Sequence, residues 1–237
     1  MFFVGGAAQN GWLSSLGSTL ILTAVIVLGI VMTFCVSGLL SKTVLKGVPS
    51  SFTLELPPYR RPQIGKVIVR SICDRTLFVL GRAVAVAAPA GLLIWVLANV
   101  NIGGLTILAH CTQFLDPFAH LIGLDGVILM AFILGFPANE IVFPIILMAY
   151  MATGSLTDLP SLTALKDILV QNGWTWLTAL CTVLFSLMHW PCSTTCLTIH
   201  KETGNWKWTA AAMAIPTGMG MLLCFLLTTV VRLLGWA

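Results

Sequence analysis

The chain has 237 residues, of which 58% are hydrophobic and only 8% are charged. Soluble domains average about 25% charged residues, so this composition excludes a soluble globular protein and predicts an all-α integral membrane protein. The formal net charge is +4, but we expect no nucleic-acid partner, because the basic residues adjoin apolar segments on both sides. The expected partner of most of the surface is the lipid bilayer.

We expect about four to six transmembrane or re-entrant helices, since a crossing takes about 20 apolar residues. The apolar segments that we assign as spans are Trp12–Leu40, Ala83–Val100, Trp174–Trp190 and Thr209–Val231. The first segment is too long for a cleaved signal peptide and lacks a basic start. We therefore interpret residues 1–41 as a retained N-terminal span.

A basic segment, residues 42–82, separates the first two spans. It contains eight Lys and Arg residues against Glu55 and Asp74, a net charge of +6, while the rest of the chain sums to −2. Basic loops stay on the cytoplasmic side of membranes, so we expect this segment in the cytoplasm and the N-terminus outside. Residues 83–237 would then form the main transmembrane domain.

The second half of the basic segment has helical periodicity. Isoleucines recur every four residues opposite a polar stripe, which is typical of an amphipathic helix. The residues concerned are Ile64, Ile68 and Ile72 against Lys66, Arg70 and Asp74. A basic amphipathic helix favours the bilayer surface, and a linker helix packed on a soluble domain is the alternative. Before it, Glu55–Pro62 has three prolines and cannot be regular helix.

Two polar stretches are expected outside the membrane core. Asn101–Asp125 contains acidic residues and histidines but no Lys or Arg, as an extracytoplasmic loop should. Leu159–Gly173 is short and polar and is expected to follow the membrane interface.

The fifth apolar element, Val127–Met151, is interrupted by polar residues. Asn139 and Glu140 lie between Pro137 and Pro144, where the prolines predict a broken helix. A charged side chain at membrane depth costs at least about 2.5 kcal/mol and usually lines a pathway, and broken backbone there must be covered by protein or water. The pattern therefore predicts a transport site. The alternative is that both side chains cap the helix that follows.

The two halves of this element form either a re-entrant hairpin or one interrupted crossing. A hairpin would place His200, Lys201 and Lys207 on the cytoplasmic side, in agreement with the positive-inside bias. A crossing would place them outside. We therefore favour the hairpin.

A second break resembles the first. Pro191 follows an apolar helix and precedes a polar run, as Pro137 does. Paired interruptions in successive membrane segments are a sequence indication of a transporter binding site. His189, Cys192, Cys196 and His200 are spaced three, four and four residues apart, so they would share one face if the helix resumed after Pro191.

These residue types indicate a metal pathway. Thiolate and imidazole suit softer transition metals, whereas carboxylate and amide oxygens suit harder ones, so a mixed set favours a borderline ion such as Fe²⁺. The candidate ligands are Cys192, Glu140, Asn139, Cys196 and His189. The alternative for the cysteines is packing, which we expect for most of the seven. No nucleotide-binding loop or Ser-His-Asp arrangement is recognisable, so we expect no enzyme and no cofactor.

At several of these residues the chain resembles the C-terminal membrane region of the FeoB family of ferrous iron transporters. The motifs that carry the resemblance occur in family order over residues 53–232. They are Glu55–Arg60, Gly135–Glu140, Met148–Tyr150, Pro191–Cys192 and Lys201–Trp208. The resemblance implies Fe²⁺ uptake through a membrane domain built from gate motifs, of which this is the second, with the gate cysteine at Cys192.

Family members also have an N-terminal G-protein domain and an earlier gate segment, neither of which is recognisable in this sequence. The resemblance therefore implies a split or truncated transporter that works with a partner carrying a GTP-binding domain and the first gate. Fe²⁺ would be the transported ion, and the location a bacterial inner membrane. The sequence is also compatible with a homo-oligomer. The competing class is a non-transporting gate-domain membrane protein of the nucleoside-recognition type.

Overall fold

The computed structural model describes residues 11–43, 64–70, 77–154 and 162–235. These residues form helices almost throughout. The two units into which they separate are residues 19–82 and residues 83–235 together with 11–18. The helices are α1 (Gly11–Thr43), α2 (Ile64–Arg70), α3 (Phe78–Asn99), α4 (Ile107–Leu121), α5 (Gly126–Leu134), α6 (Val142–Met151), α7 (Leu162–Gln171), α8 (Trp176–Met188), α9 (Ser193–Thr203) and α10 (Trp206–Leu233).

Three segments in the described ranges are long and apolar enough to cross a bilayer, namely Leu16–Gly38, Trp176–Thr203 and Trp206–Leu233, and the bent pair of α4 and α5 would add a fourth. Their outer faces carry exposed apolar side chains such as Phe34 and Leu233, as lipid-facing helices do. The prediction of an all-α, multi-pass membrane protein is confirmed. The segment predicted as the span Ala83–Val100 contains an apolar helix, Ala83–Asn99, that is shorter than these three spans.

The amphipathic repeat of the basic segment is helical where the structure describes it, in α2. Ile72, Asp74 and the proline-rich stretch Glu55–Pro62 lie outside the described residues.

The expectation of a loop over Asn101–Asp125 is wrong. A short antiparallel pair, β1 (Asn101–Ile102) and β2 (Leu105–Thr106), leads directly into the fifteen-residue helix α4. The Thr106 side chain accepts a hydrogen bond from the Ala109 amide at 3.1 Å and so caps the helix. Burial of Leu108, Thr112 and Ala119 on one face of α4 stabilises a helix that polar composition alone did not predict.

Helices α5 and α6 form a hairpin, as favoured above. Asp125 caps the start of α5 by accepting a hydrogen bond from the Ile128 amide at 2.6 Å. The hydroxyl of Tyr150, in the last turn of α6, donates to the same carboxylate. The Trp174 indole donates to the Tyr150 hydroxyl at 2.7 Å. The end of α6 therefore returns to the level of the start of α5, where α8 also begins.

Helix α10 packs back along both α8 and α9. Close contact is possible because Gly220 has no side chain where a Cβ would lie 3.0 Å from Met188. Cys181 and Cys224 are fully buried in this seam, with the Cys224 thiol 3.5 Å from the Cys181 carbonyl. These cysteines have the packing role that we expected for most of the seven.

Candidate metal pathway

The two breaks meet. The Ser193 amide, at the second break, donates to the Phe136 carbonyl of the first break at 2.8 Å. The Ser193 hydroxyl lies 3.4 Å from the Pro137 carbonyl, and the rings of Phe132 and His189 are 4.9 Å apart. Nine residues of α5 span about 13 Å. The meeting point is therefore about that far from the base of the hairpin, a distance comparable with half of a hydrocarbon core about 30 Å thick.

The first break turns the chain through a tight tip. Helix α5 ends at Leu134, a short 3₁₀ turn covers Asn139–Ile141, and α6 begins at Val142. A Cβ at Gly135 would lie 2.4 Å from a Val142 methyl group, so a larger residue there would require Val142 to move.

Asn139 and Glu140 do not cap the helices that follow them. Ala138 and Ile141 hold the cap positions, and neither helix start has a side-chain cap bond. Both polar side chains are exposed, and neither has a hydrogen bond or ion pair to the rest of the described chain. The capping alternative therefore does not describe this structure, which leaves a carboxylate and an amide unpaired at the break.

An apolar cavity of about 410 Å³ lies beside the same tip. Its walls include Pro137, Ala138 and Ile141 of the first break and Ala87 and Ile94 of α3. The lining offers almost no polar atoms to an ion, so this cavity is not the metal pathway.

The second break is shorter and does not reverse the chain. Helix α8 ends at Met188, and α9 begins only at Ser193, because Pro191 has no amide hydrogen to continue the ladder. The expectation that His189 shares a helical face with Cys192 is therefore wrong. His189 is the C-cap residue of α8, and Cys192 is the N-cap residue of α9.

His189 carries a nitrogen without a partner. Its Nδ1 lies 2.8 Å from the Ser186 carbonyl, which can only accept, so Nδ1 holds a hydrogen and donates it to this carbonyl. Nε2 is buried and unpaired within the described residues, as is Nε1 of Trp190. Metal-binding histidines commonly donate their second ring nitrogen to a carbonyl in this way.

Cys192 and Cys196 have different surroundings. The Cys192 sulfur is half-buried and lies 3.1 Å from the hydroxyls of Thr194 and Thr195. Cys196 is 6% exposed, and its thiol lies 3.4 Å from the Pro191 carbonyl, which favours packing over ligation. Within the described residues no three His, Cys, Asp or Glu side chains gather closely enough to hold a metal ion.

The sequence reasoning did not separate the roles of Ser193, Thr194 and Thr195. In the structure Ser193 joins the two breaks, while the two threonines surround Cys192. The available signal was a run of three consecutive hydroxyl residues that follows Pro191 and Cys192 inside an apolar segment.

A helical membrane bundle in which two interrupted helices meet has an arrangement found at transporter binding sites. Two family models match the chain. Residues 80–206 match the Gate family, described as "Nucleoside recognition", and residues 22–73 match "Ferrous iron transport protein B C terminus". The chain belongs to the FeoB family, whose C-terminal membrane region it represents. The match from residue 22 includes much of α1, in which we recognised no motif.

The curated relatives are consistent with this family assignment. The chain is 31% identical over 220 residues to "Fe(2+) transporter FeoB" of Staphylococcus aureus strain COL, covering 88% of this chain and 31% of the relative. It is 26% identical over 222 residues to the protein of the same name from Methanocaldococcus jannaschii, with the same shares. A "Fe(2+) transport protein A/Fe(2+) transporter FeoB fusion protein" of Porphyromonas gingivalis is 22% identical over 254 residues, covering 88% of this chain and 30% of the relative.

The chain thus spans about a third of the length of the curated relatives it matches. No solved structure matches it significantly.

Proposed function

We propose that this chain is the membrane permease part of a ferrous iron uptake system, and that Fe²⁺ passes between the two breaks. The observation that carries the proposal is the contact of Ser193 with Phe136 and Pro137, which brings two polar interruptions together inside an apolar bundle. The iron specificity is suggested by the printed names of the relatives.

The unpaired carboxylate of Glu140 supports a polar path on this face. Glu140 is exposed at the tip of the hairpin, about 13 Å below its base. A carboxylate facing lipid at such depth costs at least about 2.5 kcal/mol. The Glu140 carboxylate therefore faces water, an ion or another protein segment. The same holds for the amide of its neighbour Asn139. We assign both as oxygen ligands of the passing ion.

The sulfur of Cys192 supports an ion site on the other side of the contact. Unlike Cys181, Cys196 and Cys224, it is only half-buried, and the start of α9 directs backbone N–H groups toward it. We assign Cys192 as the principal sulfur ligand and the Nε2 of His189 as an additional nitrogen ligand. Cys196 is assigned a packing role and not a ligand role.

We further propose that residues 42–82 are cytoplasmic, in a bacterial inner membrane. The hairpin supports this orientation, because it returns the chain to the side on which α5 begins. The candidate span Trp176–Thr203 then carries the chain across to the opposite side. His200, Lys201 and Lys207 then lie on the same side as the basic segment, as the positive-inside bias requires.

The orientation is tested with a single cysteine at Ser50 in a cysteine-free background. An impermeant thiol reagent should label it only after the cells are opened. Efficient labelling of intact cells would reverse every inside and outside assignment.

A partner carrying a GTP-binding domain and a first gate is part of the proposal. The name of the Porphyromonas gingivalis protein, which joins a transport protein A to the transporter, supports a transport system of more than one component. A homo-oligomer is a second way to complete the pathway.

The transport proposal is tested by iron accumulation in an uptake-deficient host that also expresses the partner, normalised to membrane-inserted protein. Cys192→Ser and Glu140→Gln should each reduce uptake at least about tenfold, because each removes a ligand whose anionic form binds the cation. Cys224→Ser is the matched control, since Cys224 is fully buried in the α8–α10 seam, and it should transport normally. Without the partner, uptake should be weak. Normal transport by both site variants would refute the pathway.

A non-transporting membrane protein is the second candidate, favoured by the match of residues 80–206 to the family described as "Nucleoside recognition". In that case neither the partner nor the two ligand residues would affect iron accumulation.

A further inference from the structure

Another cavity, of about 400 Å³, lies at the base of the hairpin. Its walls come from the end of α4, the start of α8 and the end of α10, and they include His120, Asp125, Thr178 and Arg232. Volumes of about 300–1,000 Å³ are typical of ligand sites. Unlike the apolar cavity beside the tip, this one therefore combines the size of a ligand site with charged side chains on its walls.

Two opposite charges line this cavity, and neither forms an ion pair with a side chain that the structure describes. Nη2 of Arg232 donates to the His120 carbonyl at 2.9 Å, which holds the guanidinium in place while its other N–H groups stay available. Asp125 accepts from the Ile128 amide and the Tyr150 hydroxyl, but a carboxylate has about four acceptor positions. The cavity thus offers free donors on one wall and free acceptors on another.

The cavity lies at the membrane surface. The candidate span that contains α8 begins at one wall, and the span formed by α10 ends at another. The ends of membrane spans are level with the polar headgroup region. The residues that directly follow His120 and Arg232 are exposed leucines, Leu121 and Leu233. Charged lining and exposed apolar side chains therefore occur together at this level.

We propose that this cavity binds the headgroup of a zwitterionic phospholipid, with the phosphate on Arg232 and the ammonium group on Asp125. A guanidinium binds phosphate through paired N–H···O bonds, and the carboxylate is complementary to the ammonium group. An anionic lipid would lack the group that Asp125 attracts, and a soluble zwitterion would lack acyl chains for the exposed leucines. The inference does not depend on the transport of iron.

A bound headgroup would join α10 to the base of the hairpin, so binding should raise the melting temperature of the protein. The test is a titration of the purified full chain in detergent with dioctanoyl phosphatidylethanolamine, followed by thermal unfolding. Dioctanoyl phosphatidylglycerol has the same chains without the ammonium group, and phosphoethanolamine has the headgroup without the chains. Each should bind at least about tenfold more weakly, the loss expected when one charge-assisted hydrogen bond is removed.

Two variants locate the binding. Arg232→Gln removes the guanidinium, and Thr178→Phe fills the cavity while the Thr178 amide keeps its bond to the Thr175 hydroxyl. Each should weaken binding of the zwitterionic lipid at least about tenfold. Lys207→Gln is the matched control, because it removes a positive charge from the opposite end of α10, and it should bind as the parent does.

Three results would overturn the proposal. Parental affinity in both cavity variants would place the lipid elsewhere, and Thr178→Phe alone decides this point if Arg232→Gln does not fold. Equal affinity of the parent for the two lipids would mean that the ammonium group is not recognised. Equal affinity for phosphoethanolamine would mean that the ligand is a soluble zwitterion and not a lipid.

Discussion

The two breaks share a local sequence pattern but differ in their effect on the direction of the chain. At each, an aromatic residue and a proline are followed by small and polar residues, from Phe136 and from Trp190. The first break reverses the chain, so that α6 packs against α5. The second interrupts a segment, Trp176–Thr203, that still has the length and apolarity of one span.

The difference shows that the direction of the chain is decided away from the breaks. The hairpin is held at its base, where Asp125 bonds to Tyr150 and Tyr150 to Trp174. The α8–α9 segment is held along its side by α10, which contacts both helices. A proline and a polar residue predict an interruption, but packing partners determine whether the chain turns.

The chemistry of the breaks also differs, in a way that suits two sides of one path. The first presents an exposed amide and carboxylate, Asn139 and Glu140. The second presents a thiol surrounded by hydroxyls, at Cys192. Oxygen ligands favour harder cations and sulfur favours softer ones. A borderline ion between them would meet both kinds of ligand, which neither break supplies alone.

The largest effect is expected at the base of the hairpin. A Cβ at Gly126 would lie 2.0 Å from the Thr112 carbonyl oxygen, and backbone cannot move aside as a side chain does. Gly126→Ala should therefore lower the free energy of unfolding by about 3 kcal/mol, the upper end for overpacking. Thermal unfolding in detergent measures this change.

Gly218→Ala is the matched control. Gly218 lies in α10 with open space around its Cβ position, and alanine is the better helix former by about 1 kcal/mol. Its melting temperature should stay constant or rise. Equal melting temperatures for the two variants would mean that the close approach of α4 to α5 does not contribute to the stability of the fold.

The helices and breaks were predictable because their signals are local. Apolar runs of bilayer length predicted α1, α8 and α10, and prolines beside polar residues predicted both interruptions. Helix α4 was missed because its polar residues resemble a loop, and only burial of Leu108 and Ala119 against the core makes the segment a helix. The hairpin itself was favoured from the charges that follow it, without its base being recognised.

The candidate site was predictable in part. The sequence placed Cys192 and Glu140 at the breaks, but it treated His189, Cys192 and Cys196 as one helical face. The exact residue at which a helix resumes after a proline depends on three-dimensional contacts, here the bond from Ser193 to Phe136. Once α9 starts at Ser193, Cys192 becomes a cap, Cys196 turns into the core and His189 stays with α8.

The contact between the breaks can be removed without disturbing either helix. Ser193 is the first residue of α9, a position where proline is well tolerated because its amide has no helical partner. The preceding residue, Cys192, has φ −61° and ψ 160°, which is the conformation that proline requires before it. Ser193→Pro therefore deletes the hydrogen bond to the Phe136 carbonyl while α9 can still form.

We expect Ser193→Pro to lower the free energy of unfolding by about 1–2 kcal/mol, because the Phe136 carbonyl loses its hydrogen-bond partner. Hydrogen exchange should accelerate in peptides covering residues 136–141 but not in those of α9 after its first turn. Ser193→Ala keeps the amide and loses only the 3.4 Å contact to Pro137, so it should change stability by less than about 0.5 kcal/mol. If the proline variant leaves exchange at the tip unchanged, the two breaks are adjacent but not coupled through this bond. Faster exchange throughout α9 would instead mean that the second break depends on Ser193 for its helix and not only for its contact with the first.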